Sequence, residues 1–191
     1  MQELTEIRWH ARAGQGAVTA AKLVAETALS QDLYMQAMPE YGPERMGAPI
    51  KAFTRISGEP IEIHNNIEYP DVVCVLDETL LDVIDVTEGL ATNGAIIINT
   101  CSPPSAVRGV LGVPETVTVA CVDASGIAME TIKRDIPNTP MVGALARVAG
   151  VVHLDAVKGL LAKTFGKKFG QDIIDANLAS VIRAYEEVNV G

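Results

Sequence analysis

The sequence predicts an α/β fold: a Rossmann-like, mostly parallel sheet flanked by helices, with a β-hairpin insertion and a helical C-terminal part. Three observations predict it. Near the N-terminus a short apolar run, Ile7–Trp9, enters a glycine turn, Ala11-Arg12-Ala13-Gly14-Gln15-Gly16, which opens a long alanine-rich segment. Further on, three apolar runs each end in a polar residue, as strands covered on both faces of a parallel sheet do. The last third then changes to helical periodicity.

A chain of 191 residues suits one domain, here residues 1–191, and can bury roughly 70% of its unfolded surface around one core. Hydrophobic residues make up 48% and charged residues 20%, with no apolar run near the ~20 residues that cross a bilayer, so no membrane contact is expected. The opening Met1-Gln2-Glu3-Leu4-Thr5-Glu6 is acidic and lacks the basic-then-apolar build of a secretory signal, which predicts a cytoplasmic protein. Net charge is −9 and is unevenly spread: residues 61–130 hold eleven acidic side chains against the single Arg108, and residues 131–191 hold eight basic against six acidic. So acidic a middle argues against nucleic acid, whose binding depends on Lys and Arg neutralising phosphates.

Taken in order, Ile7–Trp9 is the first strand and Gly16–Leu29 the first helix, with a small-residue face of Ala17, Ala20, Ala21, Ala25 and Ala28 that lets it lie close on a sheet. Leu33–Met38 is a second strand, followed by a Pro- and Gly-rich loop from Pro39 to Pro49. Ile50–Ile56 alternates in polarity and Ile61 and Ile63 resume the alternation after Ser57-Gly58-Glu59-Pro60, which predicts the hairpin. The runs Val72–Leu76, Ala95–Asn99 and Val117–Asp123 supply buried strands whose tips, Asp77, Asn99 and Asp123, line one rim, where open α/β sheets place ligands. Helices follow at Ala124–Arg134, Met141–Ala149 with Thr139 as its N-cap, and Asp155–Thr164. The last, Gln171–Val188, carries an apolar stripe of Ile174, Leu178, Val181, Tyr185 and Val188 that suits packing on the chain's own core.

The glycine turn is the candidate site, because the N–H groups at a helix N-terminus are unpaired and carry partial positive charge. It only partly matches the dinucleotide pattern Gly-x-Gly-x-x-Gly, whose first and third positions are here Ala11 and Ala13. The acidic residue that pattern wants at the tip of the second strand is replaced by Met35-Gln36-Ala37-Met38, with Glu40 just beyond. A generic anion site helped by Arg12 is one reading; the other is that Gly14 and Gly16 only allow close helix–strand approach. Within Tyr41–Pro49, Arg45 can fork onto a phosphate or carboxylate, or pair with Glu44 or Glu40. Asn138 joins this rim only if the topology brings it there.

Nothing in the sequence forms a catalytic constellation. His10, His64 and His153 are isolated and are expected on or half below the surface. Cys74, Cys101 and Cys121 lie far apart without a Cys-x-x-Cys and are expected as buried thiols, holding neither cluster nor zinc. There is no Gly-x-Ser-x-Gly elbow.

Trp9–Lys22, Glu40–Pro49 and Phe53–Ile56 together resemble the gamma subunit of 2-oxoacid:ferredoxin oxidoreductases, most like the pyruvate branch. Pro70-Asp71-Val72, Leu76-Asp77, Asn99-Thr100 and Pro137–Leu145 extend the similarity over about residues 6–150. The resemblance implies a heteromeric complex of alpha, beta, gamma and ferredoxin-like delta subunits that converts a 2-oxoacid, coenzyme A and oxidised ferredoxin into acyl-CoA, carbon dioxide and reduced ferredoxin. It implies that thiamine diphosphate, Mg2+ and iron–sulfur clusters are held by companion subunits, and that the anion here is coenzyme A or an acidic group of a partner. Arg12, Gly14, Gln15 and Gly16 are then expected near the anion, with Glu44, Arg45 and Asn138 in the ligand or subunit contact. Against this stand a self-contained nucleotide-binding regulator, a 2-oxoglutarate-type complex, and an independent NAD- or FAD-dependent dehydrogenase.

Overall fold

The computed structural model describes residues 3–40, 47–167 and 169–191. Among these, seven strands form one sheet in the order β2-β3-β1-β4-β5-β6-β7. Its centre is β1 (Thr5–Arg12), β4 (Val72–Val75), β5 (Ala95–Asn99) and β6 (Thr118–Val122), mutually parallel; β2 (Tyr34–Pro39), β3 (Pro49–Ser57) and the short β7 (Asn189–Val190) add antiparallel neighbours. The three apolar runs became strands because each can bury both faces. Cys74, Ile97 and Ala120 point into one core layer; Val73, Val75, Ile96, Ile98 and Val119 point into the other.

Six helices occur among the described residues. α1 (Ala17–Leu29) packs its alanine face on the sheet, with Ala17, Ala20, Ala21, Ala25 and Ala28 all buried. α2 (Pro104–Leu111) covers the opposite face between β5 and β6. α3 (Ala124–Thr131), α4 (Asn138–Ala149), α5 (Leu154–Phe165) and α6 (Gln171–Glu187) form the helical C-terminal part. The α6 stripe packs inward: Ile174 and Val181 are buried, and Leu178, Tyr185 and Val188 lean on the same core. α4 and α6 touch so closely that a Cβ on Gly143 would stand 2.2 Å from the Val181 carbonyl oxygen.

The hairpin is built differently from the one expected. Ile50–Ile56 does form β3, but its partners are β2 on one side and β1 on the other, so the hairpin is β2–β3. With both edges of β3 occupied, Ile61 and Ile63 have no edge to pair with. The segment after Ser57 instead runs as irregular chain, pinned by the buried Arg55, whose Nη1 donates to the Asn65 carbonyl at 2.9 Å while Nε binds Glu6 at 2.7 Å. A second consequence is that β2 lies one strand away from β1, which breaks the adjacency a dinucleotide-binding sheet requires.

Several helix bounds also differ from those expected, three of them with a clear local cause or marker. Gly16 is not helical but stands before α1 with φ 85°. α4 begins at Asn138 rather than after a Thr139 cap: Pro137 stands at the N-cap without a side-chain hydrogen bond, and Asn138 Oδ1 accepts the Thr139 N–H at 2.8 Å. α3 ends at Thr131, short of Arg134, and the chain reverses through Lys133 at φ 63°. No helix among the described residues is long and apolar enough to cross a membrane.

Candidate functional site

The sequence places the glycine turn where β1 ends and α1 begins, at the carboxyl rim of the parallel strands. Ala11 is the last buried position of β1, and Ala13 ties the turn to the incoming β3 by donating to the Ala48 carbonyl at 2.9 Å. The chain then passes through Gly14 at φ 104° and Gly16 at φ 85°, conformations glycine adopts without the penalty a Cβ brings. Gly14 is exposed, with open space where a Cβ would stand. Ala20 donates to the Gly16 carbonyl at 2.9 Å; the N–H groups of Ala17, Val18 and Thr19 have no hydrogen-bond acceptor among the described residues. The first turn of α1 thus presents amides rather than side-chain caps.

Asp77, just beyond β4, holds this turn from the neighbouring strand. Its Oδ2 accepts from Gln15 Nε2 at 2.7 Å and lies 3.4 Å from Arg12 Nε; its Oδ1 accepts from the Thr79 N–H at 3.0 Å and the Thr79 hydroxyl at 2.6 Å. Partial burial works against its charge, but these hydrogen bonds from Thr79 and Gln15, with the Arg12 guanidinium, outweigh it and hold the carboxyl below its ordinary range. Gln15 closes the loop through Oε1, which accepts the Arg12 N–H at 2.8 Å.

The expected site residues separate into four groups. Gly14, Gln15 and Gly16 share the turn, but Gln15 serves as its internal brace. Arg12 is committed within the chain: besides Asp77 it donates to the Thr79 hydroxyl at 2.8 and 3.1 Å and to the Gly47 carbonyl at 3.1 Å, which leaves its side chain 31% exposed. Asn138, distant in sequence, is brought against Gly16, where a Cβ would stand 2.6 Å from Asn138 Nδ2. Glu44 and Arg45 lie outside the described residues.

The other strand tips are structural. Asn99 joins three elements, donating to the Leu76 carbonyl at 2.9 Å and accepting the Ser125 N–H at 3.1 Å, while Asp123 caps α3 through the Gly126 N–H at 2.7 Å. Thr79, which none of the motifs weighed in the sequence singles out, stands beside the turn as a partner of both Asp77 and Arg12. Its signal is the short pattern Asp77-Glu78-Thr79, repeated at Asp85-Val86-Thr87, where the aspartate accepts from the threonine N–H and hydroxyl in the same way.

Two placements differ from expectation, those of His10 and Cys101, while His64 and His153 are exposed and Cys74 and Cys121 buried, as expected. His10 is buried at 1% exposure: Nε2 accepts from Arg8 Nε at 3.0 Å, and Nδ1 has no partner among the described residues. Cys101 is exposed at the rim, where the neighbouring Asp123 carboxylate raises its pKa and disfavours the thiolate. Cys74 and Cys121 are buried on β4 and β6, and burial pushes both thiols up, Cys121 to about 11. Among the described residues no three of His, Cys, Asp and Glu converge as metal ligands.

Fold and turn define an α/β protein with a helix N-terminus open at the carboxyl rim of a parallel sheet. The chain belongs to the pyruvate ferredoxin/flavodoxin oxidoreductase family, whose model matches residues 6–187. It is 51% identical over 183 residues to pyruvate synthase subunit PorC of Thermotoga maritima, covering 96% of this chain and 94% of that protein. It is 42% identical over 187 residues to the pyruvate/ketoisovalerate oxidoreductases common subunit gamma of Pyrococcus furiosus, covering 98% of each. The crystal structure of pyruvate oxidoreductase subunit PORC from Thermotoga maritima superposes with a TM-score of 0.88 at 46% identity, covering 100% of this chain and 99% of that one.

Proposed function

We propose that this chain is the gamma subunit of a multisubunit pyruvate:ferredoxin oxidoreductase and that the α1 turn holds the phosphates of coenzyme A against the catalytic subunits. The observation that carries the ligand assignment is the open first turn of α1, whose Ala17, Val18 and Thr19 amides face no acceptor among the described residues while Asp77 fixes the loop that presents them. Near-complete matches to subunits named for pyruvate synthase support the assignment to a complex. Coenzyme A, when bound, supplies the thiol that accepts the acyl group. The residues of this chain bind and orient: the amides take phosphate oxygens, and Gly14 keeps the approach free of side chains.

The donors of this chain do not suit an iron–sulfur cluster, since two thiols are buried on separate strands and the third stands alone. The clusters, thiamine diphosphate and Mg2+ are therefore assigned to the alpha, beta and delta subunits, and electron delivery to ferredoxin is assigned to them as well. Pyruvate is favoured over 2-oxoglutarate by the names of the relatives.

Co-expression with the companion subunits tests the assignment. The complex reduces ferredoxin when given pyruvate and coenzyme A, and omitting this chain abolishes that activity; turnover by this chain alone overturns the proposal. Thr19→Glu tests the turn. An acidic residue in the first turn stabilises a helix, so folding is preserved, whereas its charge repels a bound phosphate and raises the KM for coenzyme A about tenfold. An unchanged KM removes the turn from the binding site.

A further inference from the structure

The face of the sheet opposite α1 carries a cavity of about 560 Å3, between β1, β3 and the two segments that lead into β4 and β5. Arg8 and Phe53 are buried at its base, Lys51 and Glu40 are half-buried on its sides, and Glu68, Tyr69 and Glu88 are exposed at its mouth. None of these residues belongs to the α1 turn, so the inference stands apart from the coenzyme A assignment. We propose that this cavity binds a free α-amino acid with a large apolar side chain, whose carboxylate meets Arg8 and Lys51 and whose ammonium meets the carboxylates of the rim.

The base of the cavity is rich in donors. Arg8 is only 3% exposed, yet among the described residues it makes no ion pair with a carboxylate. Its Nε donates to His10 at 3.0 Å and its Nη2 to the Val86 and Glu88 carbonyls, which fixes the guanidinium in one pose. Nη1 has no acceptor among the described residues, but the fully buried atom without a partner is His10 Nδ1, so Nη1 keeps surface toward the cavity that Arg8 lines. His10 stands beside Arg8 on β1 and opposite Lys51 on β3; because its Nε2 accepts from Arg8, its Nδ1 carries the proton and adds another unspent donor to the cluster. The Lys51 ammonium joins none of the ion pairs among the described residues. Buried donors and unpaired cations gathered in this way are unfavourable unless a ligand brings acceptors, and a carboxylate brings two oxygens and the compensating charge.

The rim decides against a simple anion. Glu40, Glu68 and Glu88 also line the cavity, and none of them joins an ion pair among the described residues. Three free carboxylates repel a ligand that carries only negative charge and attract one that carries an ammonium as well. Cations at the base and carboxylates toward the mouth form a dipole that a zwitterion complements. The remaining walls are apolar: Phe53 and Ile67 are buried, and Tyr69, 73% exposed, offers a ring face at the mouth to the side chain or the ammonium. The volume lies within the roughly 300–1,000 Å3 typical of small-molecule sites and leaves room for an aromatic side chain beside the charged end.

Isothermal titration of the full chain with three probes tests the assignment: phenylalanine, 3-phenylpropionate, which lacks the ammonium, and phenethylamine, which lacks the carboxylate. Phenylalanine is expected to bind at one site per chain, and each of the other two at least about tenfold more weakly, because each leaves one set of charges unmatched. Lys51→Met removes a cation from a half-buried position, and Glu88→Gln changes only an exposed carboxylate while keeping the backbone carbonyl that holds Arg8, so at least one variant folds, as circular dichroism would show. Each is expected to weaken phenylalanine binding about fivefold. No saturable binding of phenylalanine overturns the proposal. So does equal binding of phenethylamine, which would reduce the site to its acidic rim, or of 3-phenylpropionate, which would reduce it to its base. An affinity for phenylalanine unchanged in the folded variants places any binding elsewhere and overturns it as well.

Discussion

Arg12 and His10, two positions apart on β1, show how the polar face of one strand divides between surface and interior. The face of β1 opposite Ile7, Trp9 and Ala11 carries Glu6, Arg8, His10 and Arg12. Arg8 is buried and donates to the Val86 and Glu88 carbonyls, leaving its Nε for His10. Burial first, then the charges of Arg8 and Lys51, lower the His10 pKa from 6.5 to about 3. The sign follows directly. Between pH 6.5 and about 3 the unfolded chain binds a proton that the folded chain refuses, so stability falls as pH drops through that window, by up to about 1.4 kcal/mol per pH unit. His10→Gln keeps an acceptor for Arg8 and removes the titration; urea denaturation from pH 7 to 4 is expected to show a shallower loss than in the parent, and an identical slope would exclude His10 as its source. Asp77 acts in the opposite part of the site's logic. Its lowered pKa keeps it charged at neutral pH, and Asp77→Asn removes the charge facing Arg12 and leaves one accepting oxygen in place of two, so that either Gln15 or Thr79 loses its acceptor. A destabilisation of about 1–3 kcal/mol is expected by denaturant titration, together with a higher KM for coenzyme A.

At the scale of elements, close approach decides the packing. α1 lies on the sheet because its inward face is alanine, and Trp9 Nε1, Thr54 and the Ala21 carbonyl form a buried chain at 3.1 and 3.2 Å between strand and helix. α4 and α6 meet at Gly143, where no side chain fits. Gly143→Ala forces the Val181 backbone away and is expected to destabilise the protein by about 1–3 kcal/mol despite alanine's better helix propensity, as a fall in thermal midpoint would report. The alanine face, the three buried strands and the α6 stripe were legible because periodicity records which residues must leave water. The partner of β3 was not, since alternation marks a strand with one polar face but says nothing of which edge it joins. The same limit left Asn138 a conditional candidate: that it meets Gly16 depends on how α4 returns to the sheet, and no local pattern encodes that return.

Across the whole molecule, β1 and α1 share one core layer with α3, α4, α5 and α6, so the N-terminal and C-terminal parts stabilise each other. Residues 1–191 are therefore expected to unfold as one unit. Trp9, the single tryptophan and fully buried in that layer, reports tertiary loss; its fluorescence transition should coincide with loss of helical circular dichroism, and separated transitions would divide the chain into two domains. The polarity of the sheet also sets the site. Four parallel strands end at one rim, which is why the turn after β1 and Asp77 after β4 become neighbours.

What the sequence determined by itself was the class of fold, the buried strands and the helix-opening glycine turn, because hydrophobic period and glycine placement are local consequences of burial and backbone sterics. What only the tertiary structure decided was who stands beside that turn. Asp77 and Thr79 spend the charge of Arg12 inside the chain, and Asn138 arrives from more than a hundred residues away to close on Gly16. Those contacts are fixed by strand order and helix return, which depend on the free energy of the whole packed core rather than on any segment of it.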